Sequence, residues 1–136
     1  MLRARVSAEH AATFDAGVLV ARAGERAWAK LCLELAPDGR MMVVSVVTRG
    51  ESDDCNSVVI EGDTAWLRIS RLGRAFAFHW SPDGSRWHMV RYFGLGPSAD
   101  VEVGFMAQSP TGEGCTATFE HIQYTRERLA DVRSGL

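Results

Sequence analysis

The chain reads as an all-β domain, an antiparallel sandwich of two sheets, and two observations predict it. Residues 64–90, TAWLRISRLGRAFAFHWSPDGSRWHMV, hold three runs of β-branched and aromatic residues separated by Leu72-Gly73 and by Pro82-Asp83-Gly84-Ser85. Gly between such runs, and Asp-Gly above all, signals a hairpin, because primed turns need positive φ. Along the whole chain about nine short strands follow one another at near-regular spacing, without a convincing interior helix. That pattern suits a sandwich and not a βαβ fold.

Taken in order, residues 2–8 alternate weakly and suggest a strand at a sheet edge, and residues 16–22 a stronger one ended by Gly24. Residues 28–36 and 40–48 form a hairpin about Asp38-Gly39, pairing Leu35 with Met42, Leu33 with Val44 and Leu31 with Val46 on one apolar face. Its reverse face carries Trp28, Lys30, Cys32 and Glu34 opposite Arg49, Val47, Ser45 and Val43. Residues 50–57 read as a polar loop and 58–60 as a short strand. In the central meander, turns centred on the Gly-containing pairs set Ile69 against Phe76 and Leu67 against Phe78. They also set Trp80 against Trp87 and Phe78 against Met89. The other face then holds Trp66, Arg68, Ala77, His79, His88 and Val90. Residues 94–98 form a turn-rich connection, 101–107 a strand, 110–114 a loop and 115–124 the last strand. Residues 126–136 make a tail or a short helix beyond a single domain at 1–125.

Composition excludes several functions. At 136 residues, 46% apolar and 24% charged, the chain is one ordinary globular domain. A formal charge of −2, with fifteen scattered Lys and Arg, leaves no footprint for nucleic acid. No run approaches the ~20 apolar residues of a membrane span, and the first ten residues lack a signal-peptide core. Three cysteines, Cys32, Cys55 and Cys115, without C-x-x-C spacing, suggest reduced thiols in a cytoplasmic protein. Cys32, mid-strand, reads as a packed thiol.

Six segments carry a family resemblance: W-A-K-x-x-x-E-L from Trp28, T-R-G-E-S-D from Thr48, W-L-R-I-S-R from Trp66, S-P-D-G-S-R-W from Ser81, G-F-M-A-Q-S-P from Gly104 and F-E-x-I near Phe119. In that order they resemble the "regulation of enolase" type of domain of unknown function. The resemblance implies a concanavalin A-like lectin/glucanase jelly roll of two curved sheets, with a concave surface where relatives of this fold bind sugars. Relative to that family the chain is short at its N-terminus. An uncovered edge would then be open to a homodimer or another protein partner. The aromatic usual after Ser-Asp in the polar loop is replaced by Asp54-Cys55.

The mixed faces of the two hairpins supply the candidate site: Trp28, Lys30, Glu34, Arg49, Asp53, Trp66, Arg68 and His79. Sugar recognition uses flat aromatic surfaces against the ring, with charged or amide groups that satisfy several hydroxyls. The same composition also suits a solvated sheet face with cross-strand ion pairs. His79 and His88 stand opposite each other in the expected register, short of a third metal ligand. Glycosidases of this fold present carboxylates as E-x-D-x-x-E, and no such run occurs. Nor is there a G-x-S-x-G, Walker or dinucleotide motif. The expectation is therefore non-catalytic binding of a carbohydrate or sugar metabolite, without cofactor, metal, nucleic acid or membrane. The alternatives are a protein-interaction or homodimerisation module with a regulatory role in carbohydrate metabolism, or a weak glycoside hydrolase using Glu34 and Asp53.

Overall fold

The computed structural model describes residues 1–97 and 100–136. The connection expected over 94–98 thus ends at Ser98, outside the described residues. Among the described residues there are ten antiparallel strands: β1 (Leu2–Ala8), β2 (Ala16–Gly24), β3 (Ala27–Leu35), β4 (Met41–Arg49), β5 (Glu51–Val59), β6 (Thr64–Leu72), β7 (Ala75–Ser81), β8 (His88–Gly94), β9 (Glu102–Gln108) and β10 (Ala117–Tyr124). They form two five-stranded sheets, sheet 1 in the order β10-β1-β6-β7-β8 and sheet 2 in the order β5-β4-β3-β2-β9. Among the described residues there is no helix, and so none long and apolar enough to cross a membrane.

The core lies between the sheets. Leu2, Ala4, Val6, Ala65, Leu67, Ile69, Phe76 and Phe78 of sheet 1 meet Leu19, Ala21, Ala29, Leu31, Leu33, Val43 and Val47 of sheet 2, all nearly sealed from solvent. Burying each of the larger aliphatic side chains contributes about 1.5–3 kcal/mol. β1 is not an edge strand. It runs between β10 and β6, because Val6, Ala4 and Leu2 match Ala65, Leu67 and Ile69 partner for partner and share their inward face.

Three registers differ from the expected ones. Between β6 and β7 the turn is Gly73-Arg74, so Leu67 faces Trp80 and Ile69 faces Phe78. A shift of two leaves every side chain on its expected face. Between β3 and β4 the loop runs from Ala36 to Arg40, closed by Ala36 N to Arg40 O at 2.9 Å, and Leu35 faces Met41. This shift of one turns Val43, Ser45 and Val47 inward and Met42, Val44 and Val46 outward. Between β7 and β8, a loop through residues 82–87 and a bulge at Phe78/His79 move Trp87 and Met89 to the outer side. Asp83 holds that loop, accepting from the backbone N–H of Ser85 (2.8 Å) and Arg86 (2.9 Å).

β5 replaces the expected polar loop. It pairs along β4 with almost every side chain exposed. Main-chain hydrogen bonds need no apolar side chains when both faces are wet, and its acidic residues discourage further strand addition. Residues 126–136 form no helix. They cross the outer face of sheet 1 and end in a turn closed by reciprocal Asp131–Leu136 backbone bonds (2.7 and 3.1 Å).

Candidate functional site

The eight candidate residues fall in three places. Trp28, Lys30 and Glu34 alternate along β3 on the outer face of sheet 2. Trp66, Arg68 and His79 lie on the outer face of sheet 1, across the whole thickness of the sandwich. Arg49 and Asp53 belong with neither group. Arg49 aligns with Ala27 and Asp53 with Val47, so both follow the inward parity of sheet 2 and emerge at its end as an exposed ion pair of 3.5 Å. The one-residue register difference separates Arg49 from Trp28.

On sheet 2, Ala16, Val18, Cys32 and Val44 make a second, smaller apolar cluster facing outward yet sealed. A polar chain lies over it. Lys30 Nζ donates to Gln108 Oε1 at 2.7 Å, and Gln108 Nε2 donates to Glu34 Oε2 at 3.2 Å and to Phe14 O at 3.0 Å. Burial raises the Glu34 pKa; Lys30 opposes this, and the Asp54 charge on β5 adds to it. Cys32 beneath them is sealed, and desolvation pushes its thiol up to about 12. It is a packing thiol and not a nucleophile. Trp28 is half-buried, level with Thr48 on one side and Arg22 on the other. Those neighbours are themselves engaged, Thr48 Oγ1 with Ser52 Oγ at 2.7 Å and Arg22 with Glu102 at 3.6 Å. Among the described residues no ring or cation stacks on Trp28.

The other three tryptophans are occupied. His121 stacks on Trp66 with ring centroids 5.5 Å apart, and Gly84 presses on the same indole so closely that a Cβ there would lie 2.7 Å from Cε2. Trp80 stacks on His88 at 5.3 Å. Arg68 lies over Trp87, 4.1 Å from its centroid. His79 faces Met89 and His88 faces Trp80, so the expected histidine pair does not form. Among the described residues no three His, Cys, Asp or Glu gather into a metal site.

On sheet 1 the tail takes the polar groups. His79 Nε2 donates to Val132 O at 2.7 Å and Arg68 Nη2 to Gly135 O at 2.8 Å. Burial lowers the His79 pKa to about 4, the hydrogen bond to Val132 partly opposing it and the Arg68 charge assisting. The imidazole is therefore neutral at physiological pH.

Gln108, Asp54, Trp87 and the tail lie outside the candidate set. Gln108 stood within G-F-M-A-Q-S-P, so the motif pointed to it; the tail contacts have no local signal.

A family model described as "Protein of unknown function (DUF1349)" matches residues 1–127. The chain belongs to the DUF1349 family. Among solved structures, a functionally unknown protein from Saccharomyces cerevisiae is 29% identical, with TM-score 0.80 over 90% of this chain and 66% of its own. The GH43 protein BlXynB from Bacillus licheniformis is 16% identical, with TM-score 0.70 over 87% of this chain, and a mutant of it is 17% identical with TM-score 0.72. This DUF1349 chain spans 25% of each BlXynB chain, and at such identity the likeness is one of fold: the concanavalin-like sandwich. Comparison with curated proteins finds no match.

Proposed function

We propose that the outer face of sheet 2 binds a carbohydrate or sugar-derived metabolite without chemical turnover. The observation that carries this is Trp28: a partly buried indole with no stacking partner among the described residues, beside an ammonium, an amide and a carboxylate already linked in one chain. The indole offers a flat apolar surface for a sugar ring. Lys30 and the Gln108 amide donate to hydroxyl oxygens, while Glu34 and Asp54 accept hydroxyl protons. The sealed floor of Val18, Cys32 and Val44 keeps these groups fixed before a ligand arrives.

A panel of neutral sugars and sugar phosphates titrated against Trp fluorescence tests the proposal. Trp28→Ala should weaken binding at least about tenfold, the loss of one well-stacked aromatic, while Trp66→Ala should lower stability more than affinity. A blank panel together with a blank glycan array overturns it. Turnover of a glycoside that disappears in Glu34→Gln would place the protein among hydrolases instead.

A second role has its own support. The edge strands β9 and β10 touch through Phe105 and Phe119 (4.7 Å) and leave Phe105, Met106, Ile122 and Tyr124 between 37% and 65% exposed. A second copy of the chain would cover these residues and pair the open backbone. This suits a regulatory interaction module, as the resemblance to regulation-of-enolase proteins implies. Sedimentation showing a dimer that Phe105→Lys converts to monomer supports it; a monomer at all concentrations removes it.

A further inference from the structure

We propose that the pocket between β1, β6, the end of β10 and the start of the tail is a binding site for a small oxyanion, the phosphate or carboxylate group of a metabolite. It is separate from the face carrying Trp28 and does not depend on it. The pocket has a volume of about 150 Å³, and Arg3, Arg68, Gln123, Thr125 and Glu127 line it together with Met1. At ~30 Å³ per water molecule this is room for roughly five waters, enough for one oxyanion head group.

Its polar groups are arranged for an acceptor that is missing from the fold. Arg68 is 95% buried, yet among the described residues no carboxylate pairs with it. Its one oxygen partner is the neutral carbonyl of Gly135, and its Nε has none. A buried guanidinium is costly unless its charge is compensated. Arg3 adds a second positive charge on the same wall, and its own hydrogen bonds go to the neutral Gln123 Oε1 at 2.8 and 2.5 Å. Burial, and after it the neighbouring Arg3 charge, lower the Arg68 pKa to about 10. Thr125 Oγ1, also on the lining, is buried without a partner. Arg3 and Arg68 thus put two guanidinium groups on one lining, and guanidinium is the group that binds phosphate or carboxylate in bidentate fashion.

A wider cleft of about 500 Å³ shares Met1, Thr125 and Glu127 with this pocket and adds Arg71, Arg126, Arg128 and Tyr124. The anionic head would enter the narrow end, and the rest of the ligand would lie against Tyr124 among further arginines. Glu127 is the single carboxylate on either lining and would compete with the ligand for the same cations.

The test titrates the full chain at constant ionic strength with inorganic phosphate and, separately, with malonate, using chloride as the control. The readouts are the Arg68 Nε–H resonance and Trp fluorescence, which reports the Arg68–Trp87 stack. Saturable shifts with either anion support the site, and the better anion identifies the head group. Arg3→Gln, at a half-buried residue outside the apolar core, should weaken binding about tenfold, the worth of one charge-assisted hydrogen bond. Glu127→Gln should tighten binding severalfold. No saturable shift with either anion, or an affinity unchanged in Arg3→Gln, overturns the proposal; Arg68→Gln is not needed to decide it.

Discussion

Trp28 and Trp66 both stand on mixed sheet faces, each two residues before a cation in its strand, but the fold uses them differently. Trp66 is clamped between His121 and Gly84, so its indole acts as a brace between β10 and the β7–β8 loop. Replacing Trp66 by Ala should cost about 3 kcal/mol by chemical denaturation. Replacing Trp28 by Ala should cost under about 1 kcal/mol, since little rests upon it. Gly84 has φ of 77°, and an added Cβ would meet three atoms of the Trp66 indole at 2.7–3.1 Å. Gly84→Ala is expected to destabilise by about 1–3 kcal/mol. Wild-type stability in that variant would show that the brace can yield freely.

At the scale of elements, the tail is the segment most open to experiment. Gly135 has φ of 75°, and a Cβ there would lie 2.6 Å from the Cβ of Trp87. Gly135→Ala should therefore lift the last residues from sheet 1, with faster amide exchange at residues 131–136 and a red shift of Trp87 emission. Unchanged exchange would mean that the tail tolerates the methyl group by a local adjustment. The elements also show what the sequence could disclose. Strand positions were readable because apolar and polar residues alternate with period two. Faces were readable in β6 and β7, where Ala65, Leu67 and Ile69 contrast with Trp66, Arg68 and Ser70. They were unreadable in β4, where MMVVSVVT is apolar at both parities, so only the loop length decided which side faced in. The loop of residues 82–87 hid the β8 register for a related reason: Trp87, Met89 and Val90 would suit either face. β5 lacked any signal, since an exposed edge strand needs only its backbone. Of the candidate site, Trp28, Lys30 and Glu34 were legible by spacing along one strand. That Trp66, Arg68 and His79 belong to the opposite surface depends on sheet order, and no local pattern encodes that order.

For the whole molecule, two buried groups on opposite surfaces give the stability opposite pH dependences. His79 is neutral in the folded chain down to about pH 4 and titrates near 6.5 when unfolded. Between those values the unfolded chain holds the extra proton, so His79's contribution is complete above about pH 6.5 and is lost as pH falls toward 4. Glu34 works the other way. Its raised carboxyl pKa means that the folded chain keeps the proton longer than the unfolded one. Stability from this source is present below the unfolded carboxyl value and fades as pH rises through the folded one. Denaturation midpoints from pH 3.5 to 8 should thus show the loss on acidification flattened in His79→Gln and the loss with rising pH above the ordinary carboxyl range flattened in Glu34→Gln. Curves parallel to wild type in both variants would remove both contributions.

The sealed thiol of Cys32 gives this chain an internal clock. Cys55 is exposed and Cys115 partly so, and both should be alkylated within the reagent's own reaction time. Cys32 can be modified only during those moments when the Lys30–Gln108–Glu34 layer lifts away, so its labelling rate counts such openings. Any guest that rests on that layer must slow the clock, and one bound on the far surface must leave it running nearly as before.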